Sequence, residues 1–403
     1  MTTVADTRPA VRGHRLSHSV AFAAIAAIFV TFAAASAAPS PLYVVYQHLW
    51  GFSATTLTVI FAVYVLGLIG SLLVLGALSD HVGRRPVLAA AIALEAASLV
   101  LFITAGDVTV LLAARLLQGI ATGAAFTTLG AALVDLNPPH APGRAGLING
   151  IAPVSGLAVG ALGCGALVQF APEPTHLVWA LLLAAMLLAG VVVARIPETS
   201  ARRPGAVASL SPRLGVPPRL RGDLLAIAPI IVASWAVGGL YLSLGPSVAA
   251  GVFGLTNHLV GGLVVSLLCA TGAVTSYALR GVPTARLLPL AAALLTLGSV
   301  IGVAGVEWDS VAAAAVGTVV SGIGFGASAL ASFGTLATIA APHERGELFA
   351  VALVIAYTAF SIPAVIAGFA ATSYGLHPTA LVYGIAVAVL GAGALTVQRL
   401  RAR

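Results

Sequence analysis

Charge is the scarcest property of this chain. Of its 403 residues 8% are Asp, Glu, Lys or Arg, lysine is missing altogether, and 60% are hydrophobic, with a mean hydropathy of +1.07. A soluble globular domain carries about 25% charged residues, so the composition excludes a water-soluble fold and implies an integral membrane protein. Cysteine is scarce too. Cys164 and Cys269 both fall inside apolar runs, which implies neither a disulfide framework nor a metal site and leaves them as small packing residues. No G-x-x-x-x-G-K-[ST] loop is present and no polar stretch is long enough to hold a nucleotide, so any driving energy should come from an ion gradient. His, Asp and Glu are not clustered within the apolar runs at ligand or acid–base spacing, which argues against a membrane-embedded enzyme.

What fills the chain instead is a series of twelve apolar runs, near 19–38, 54–78, 86–105, 108–134, 145–170, 175–195, 223–248, 256–279, 286–305, 310–340, 346–373 and 377–397. Each is long enough to cross a bilayer core of roughly 30 Å as a helix, which satisfies its own backbone in lipid. The expected fold class is an all-α integral membrane protein with twelve transmembrane helices. A polar stretch rich in Arg, Pro and Ser at 196–222 divides them six and six. This gives an N-terminal bundle at 19–195, a C-terminal bundle at 223–397, and short tails at 1–18 and 398–403. Shifting the sequence by 203 residues aligns Gly119 with Gly322, Ile120 with Ile323, Gly123 with Gly326, Ala124 with Ala327, Leu133 with Leu336, Pro139 with Pro342, His140 with His343 and Gly143 with Gly346. The repeat implies two six-helix halves related by a pseudo-two-fold axis along the membrane normal.

The 19 basic residues are all arginines, and their placement follows this topology. All but Arg115 lie in the N-terminal tail (Arg8, Arg12, Arg15), the second, fourth, eighth and tenth connections, the central linker, or the C-terminal tail (Arg399, Arg401, Arg403). The other loops carry Asp107, Glu173, Glu307 and Asp309. The positive-inside rule therefore places both termini in the cytoplasm of a cell membrane and explains the net charge of +7 without nucleic acid. The first apolar run ends in Ala35-Ser36-Ala37-Ala38, which is similar to a signal-peptidase site. Its length and the eleven runs that follow favour an uncleaved first helix. Pro39 and Pro41 should break that helix near the outer interface, with Tyr43, Tyr46 and Trp50 in the aromatic belt.

Two long runs are joined by Gly76-Ala-Leu-Ser-Asp80-His-Val-Gly83-Arg84-Arg85-Pro86-Val-Leu88. Gly76 permits close helix packing, Asp80 sits where the helix leaves the membrane, Gly83 allows a tight turn, and Pro86 suits the first turn of the next helix. The order G-x-L-x-D-x-x-G-R-R-P-x-L resembles the loop 2-3 motif of the major facilitator superfamily, the large group of twelve-helix secondary transporters. That resemblance implies two bundles rocking about a midplane site. It also implies a conformational latch of Asp80, Gly83, Arg84, Arg85 and Asp135, in which Arg84 meets Asp135 and Asp80 faces the helix N-terminus near Gly346. The counterpart in the second half, Arg280-Gly281-Val-Pro283-Thr-Ala-Arg286, lacks the Asp, so the latch is asymmetric.

Glu95 lies about ten residues in from Pro86, which at 1.5 Å per residue places a carboxyl near mid-bilayer. There it needs a partner or a proton. Arg115 is the expected partner, and Gln118, three residues on, shares its face. Leu112-Ala-Ala-Arg115-Leu-Leu-Gln118-Gly119 resembles the family's helix 4 motif, whose arginine lines the cavity and is implicated in proton coupling. Gly150, Pro153, Gly156 and Gly160 resemble its helix 5 antiporter motif, with Ala152 where that motif has glycine. The resemblance places helices 1, 4, 7 and 10 around the cavity, making Thr31, Arg115, Gln118, Trp235 and Phe325 its lining candidates. Asp223 reads as a helix cap and His258 as an interfacial residue.

The function expected is that of a secondary active transporter, with proton-coupled efflux of a small amphiphilic compound ahead of proton-coupled uptake of a metabolite. A membrane-embedded enzyme or an uncoupled channel or sensor stands well behind. Helix 1 contains no acidic residue, so Glu95 and Arg115 are the proton-coupling candidates. The partners expected are the lipid bilayer, a small-molecule substrate and protons, with no cofactor, no metal and no nucleic acid, the protein acting as a monomer.

Overall fold

A computed structural model describes residues 15–141, 143–212, 214–341 and 344–401. Arg8, Arg12, Arg213 and Arg403 of the arginine pattern, and Pro342 and His343 of the repeat, lie outside the described residues. Among those described the fold is all-helical, with twelve helical spans long and apolar enough to cross a membrane.

The N-terminal half comprises α1 (His18–Ala37), α2 (Pro39–Trp50), α3 (Ala54–Leu75), the short loop helix α4 (Leu78–Val82), α5 (Arg84–Ile103), α6 (Val108–Asp135), α7 (Arg144–Phe170) and α8 (Pro174–Arg195). Two 3-10 turns, Ala208–Leu210 and Pro218–Leu220, lie in the linker. The C-terminal half comprises α9 (Arg221–Ser243), α10 (Gly245–Gly251), α11 (His258–Ala278), α12 (Thr284–Glu307), α13 (Val311–Ile339), α14 (Arg345–Tyr374) and α15 (Leu376–Arg401). Helix starts follow the polar residues left between apolar runs. Ser53 caps α3, Asp107 caps α6 through Thr109 N and Val110 N, Asn257 caps α11 and Ser310 caps α13. Asp223 is not the cap of α9. It lies in that helix's first turn and pairs with Arg401 at 3.0 Å.

The first span differs from expectation. Ala38 keeps a right-handed helical backbone, and Pro39, which needs no N–H donor in a first turn, restarts the helix at once. α1 and α2 thus form one span of 33 residues. Tyr43 and Tyr46 are correspondingly core residues, 1% and 2% exposed, and not belt anchors. Trp179 Nε1 donates to the Tyr46 hydroxyl at 2.9 Å, and the Trp179 ring stacks on Phe102 at 4.1 Å.

The repeat is visible in the packing. A Cβ at Gly119 or Gly123 of α6 would run into the carbonyls of Tyr64 or Leu68 of α3. Gly322 and Gly326 of α13 meet the carbonyls of Leu268 and Gly272 of α11 in the same way. Small residues therefore set the same close helix approach in both halves.

The halves meet mainly through α3 against α14 and α7 against α11. Thr55 bonds Thr372 at 2.9 Å, a Cβ at Gly165 would lie 2.9 Å from the His258 carbonyl, and the Gln169 side chain accepts from His258 N at 3.0 Å. Ser40 Oγ donates to Leu242 O between the first spans of the two halves. All these contacts lie toward the face bearing the acidic loops. Deeper in, Phe61 and Phe360 rings meet at 5.0 Å.

Candidate functional site

On the arginine-bearing face, one cluster is organised by the turn between α4 and α5. Gly83 has φ +117°, a backbone state glycine tolerates, and a Cβ there would lie 2.7 Å from Glu198 Oε2. That carboxylate accepts from Arg84 N at 2.8 Å and Arg85 N at 3.2 Å, satisfying orphan donors at the start of α5, and from Thr199 N and Ser200 N at 3.1 Å. Arg85 does the converse for α8, donating to Val193 O at 3.3 Å and Ala194 O at 2.5 Å. Arg84 reaches Asp135 Oδ2 through Nε at 3.0 Å, and Asp80 Oδ1 and Ser79 Oγ through Nη1, each at 2.6 Å. Thr199 Oγ1 adds a bond to Asp135 at 2.9 Å, while Ser200 Oγ and Arg203 N donate to the Asp80 carbonyl.

The structure thus brings Asp80, Gly83, Arg84, Arg85 and Asp135 together. It does not direct Asp80 to α14. Among the described residues the Asp80 carboxylate is held by Arg84, and no hydrogen bond joins it to the first turn of α14. Sequence reasoning missed Glu198, Thr199 and Ser200. The available signal was that Glu198 is the one acidic residue of the 196–222 linker, amid arginines.

The second cluster is buried in the N-terminal half. Glu95 of α5 and Arg115 and Gln118 of α6 are 0%, 1% and 0% exposed. Glu95 and Arg115 are not directly paired as expected. Gln118 stands between them, its Nε2 donating to Glu95 Oε1 at 3.1 Å and its Oε1 accepting from Arg115 Nη1 at 2.5 Å. Helix α1 supplies two further acceptors, Ala35 O for Gln118 and Ser36 O for Arg115. The guanidinium lies over the Tyr64 ring, 4.2 Å from its centroid. Glu95 Oε2, Arg115 Nε and the Tyr43 hydroxyl are buried without a hydrogen-bond partner among the described residues.

The remaining candidates are dispersed. Tyr64 shares a face of α3 with Phe61, and Phe61 meets the aromatic group of Phe360, Trp235 and Tyr357, in which Trp235 lies 4.8 Å from Tyr357 and 5.8 Å from Phe360. Phe325 is 8% exposed and packs over Gly238 and Gly272 within the C-terminal half. Thr31 is half-buried and its hydroxyl bonds Ala27 O of its own helix. In α7, Gly156 and Gly160 pack against Val30, Ala33 and Ala34 of α1, Pro153 lies inside the helix, and nothing lies within 4 Å of a Cβ built at Gly150.

The family model of the Major Facilitator Superfamily matches residues 20–301, and the chain belongs to that family. It is accordingly a multi-pass membrane transporter. Solved structures with the same fold include a bacterial homologue of the human lysosomal transporter Spinster, inward-facing and unoccupied, with TM-score 0.76 and 12% identity over 95% of this chain and 97% of that one. The nucleoside transporter NupG superposes with TM-score 0.71 and 10% identity over 94% of this chain and all of that one. The human organic anion transporter MFSD10 gives 0.68 and 17%, again over 94% and all of its chain.

Proposed function

We propose that this transporter exports a small amphiphilic compound from the cytoplasm in exchange for protons, and that Glu95 is the proton-binding group. The observation that carries this reading is the buried Glu95–Gln118–Arg115 relay, with one carboxylate oxygen unpartnered. An ionised Glu95 compensates Arg115 through the Gln118 amide. A protonated Glu95 withdraws that negative charge and leaves the buried guanidinium held by neutral groups alone, the Gln118 amide, the Ser36 carbonyl and the Tyr64 ring. The protonation state then biases the conformational equilibrium to the extent that the two conformations solvate Arg115 differently. The shift has a route to the partner half, because Arg115 stacks on Tyr64 and Phe61 of the same helix meets Phe360.

In this reading the arginine face is cytoplasmic, both termini lie there in the cell membrane, and the protein acts as a monomer. The Asp80–Arg84–Asp135 cluster with its Glu198 brace is the latch that steadies the cytoplasmic ends of the N-terminal bundle during exchange. Thr31, Trp235 and Phe325 contribute to the substrate cavity, and Gly150, Pro153, Gly156 and Gly160 to the helix 5 antiporter-like element. The testing experiment is a substrate panel in proteoliposomes with an imposed pH gradient. Export predicts substrate accumulation in everted vesicles when the lumen is acidic. Accumulation dependent on co-directional proton flow would instead make the protein a symporter.

A further inference from the structure

We propose that the C-terminal half holds a binding site for the hydrocarbon chain of a bilayer lipid, entered sideways between α11 and α13 from the leaflet on the acidic-loop side. The site is a cavity of about 230 Å³ enclosed by α9, α10, α11, α12, α13 and α15. An apolar cavity of roughly 150 Å³ takes up benzene, so this one accommodates a substantial length of alkyl chain.

The repeat explains why the cavity carries no charge. At an offset of 203 residues, the Glu95, Arg115 and Gln118 that fill the N-terminal half correspond to Gly298, Thr318 and Ser321, and all three of these line the cavity. Where one half packs a charged relay, the other has small side chains.

The chemistry of the walls selects the occupant. No charged side chain lines the cavity, and its walls are built from residues such as Leu240, Leu267, Val303 and Val387. Both lining phenols are satisfied by the protein. The Tyr241 and Thr318 hydroxyls lie 2.8 Å apart, and Tyr383 donates to Ala236 O at 2.8 Å. A polar ligand would lose its hydration with little in return, whereas a hydrocarbon chain gains dispersion contact on all sides.

The mouth selects the source. Leu263 of α11 and Val311 of α13 line the cavity yet are 46% and 45% exposed, on helices that span the membrane. Both residues sit in the first two turns of spanning helices, at the acidic-loop end, and in this proposal their exposed apolar side chains face the hydrocarbon of that leaflet, so the chain that enters is a lipid's.

Gly302 permits a direct test, because it lines the cavity and nothing lies within 4 Å of a Cβ built there. Gly302→Leu fills the space without a backbone clash. Gly393→Leu, on the exposed side of α15 with equally open surroundings, is the control. The protein is reconstituted in phosphatidylcholine vesicles containing a phosphatidylcholine with a diazirine on its acyl chain, illuminated, and the adducts are mapped by peptide mass spectrometry. Adducts on interior residues such as Leu267 and Thr318 are expected in the wild type and in Gly393→Leu, with a several-fold drop in Gly302→Leu. Adducts confined to the lipid-facing belt and equal in all three proteins overturn the proposal. So does interior labelling by a diazirine-bearing amphiphilic drug but not by the lipid, which would assign the cavity to a transported compound. The wild-type map decides alone if Gly302→Leu fails to assemble.

Discussion

Glu95 and Arg115, the two charge-bearing Asp, Glu or Arg side chains buried among the described residues of the N-terminal half, are joined through the amide of Gln118 and make no ion pair of their own. An amide relay differs from a salt bridge in one respect that matters for transport. Gln118 offers a donor to one side and an acceptor to the other, so each charge is solvated by a neutral group and either can change state without a direct Coulombic partner leaving contact.

Gln118→Leu keeps the approximate volume of the side chain but removes its three hydrogen bonds, to Glu95, Arg115 and Ala35 O. It strands the buried carboxylate and leaves the guanidinium with Ser36 O and the Tyr64 ring, each lost partner costing about 1–3 kcal/mol. The expected result is a lower unfolding midpoint in detergent and loss of transport driven by a pH gradient. Gln118→Glu retains the acceptor for Arg115 but sets a second carboxyl where the amide donated to Glu95, so it should shift the pH dependence of transport and not restore it.

On the arginine face, Asp80→Asn, Arg84→Ala and Glu198→Gln each disturb a different bond of one cluster. All three should reduce initial transport rates several-fold while leaving expression and membrane insertion close to normal. Unimpaired rates in all three would reduce the cluster to a topology signal.

Much of this was legible in the sequence, and what was not has physical causes. The twelve spans are a composition signal, and the loop motif is contiguous, so both survive without tertiary information. Glu198 escaped because its partners are backbone N–H groups of Arg84 and Arg85, more than a hundred residues earlier, and a backbone donor leaves no mark in the sequence. The bridging role of Gln118 was hidden because helical spacing puts it on the Arg115 face without saying which of the two α5 meets. Tyr43 and Tyr46 read as belt residues from their distance to the helix end, but the run continues past Ala38 and buries them. The cavity in the C-terminal half could not be read, since it arises from how small residues on several helices face one another.

Close helix packing is separately testable. A side chain at Gly160 would collide with the backbone of Ala34, whereas nothing lies within 4 Å of a Cβ at Gly163. Gly160→Val should destabilise by about 1–3 kcal/mol, the usual cost of overpacking, and Gly163→Val by much less. Thermal unfolding of the two purified variants makes the comparison.

Membrane orientation is checked with single cysteines introduced near Arg202 and near Glu307, in a background lacking Cys164 and Cys269. In intact cells an impermeant maleimide should label the second site alone, because one loop is rich in arginine and the other is acidic. Labelling at both sites would overturn the assigned topology.

Proton coupling through Glu95 is tested most directly by Glu95→Gln in proteoliposomes, with transport measured across an imposed pH gradient and substrate binding measured separately. Glutamine preserves the shape and the acceptor for Gln118 but cannot exchange a proton. The predicted result is retained binding with gradient-driven transport abolished. Transport at the wild-type rate with the same pH dependence would contradict the assignment and leave Glu95 a structural residue.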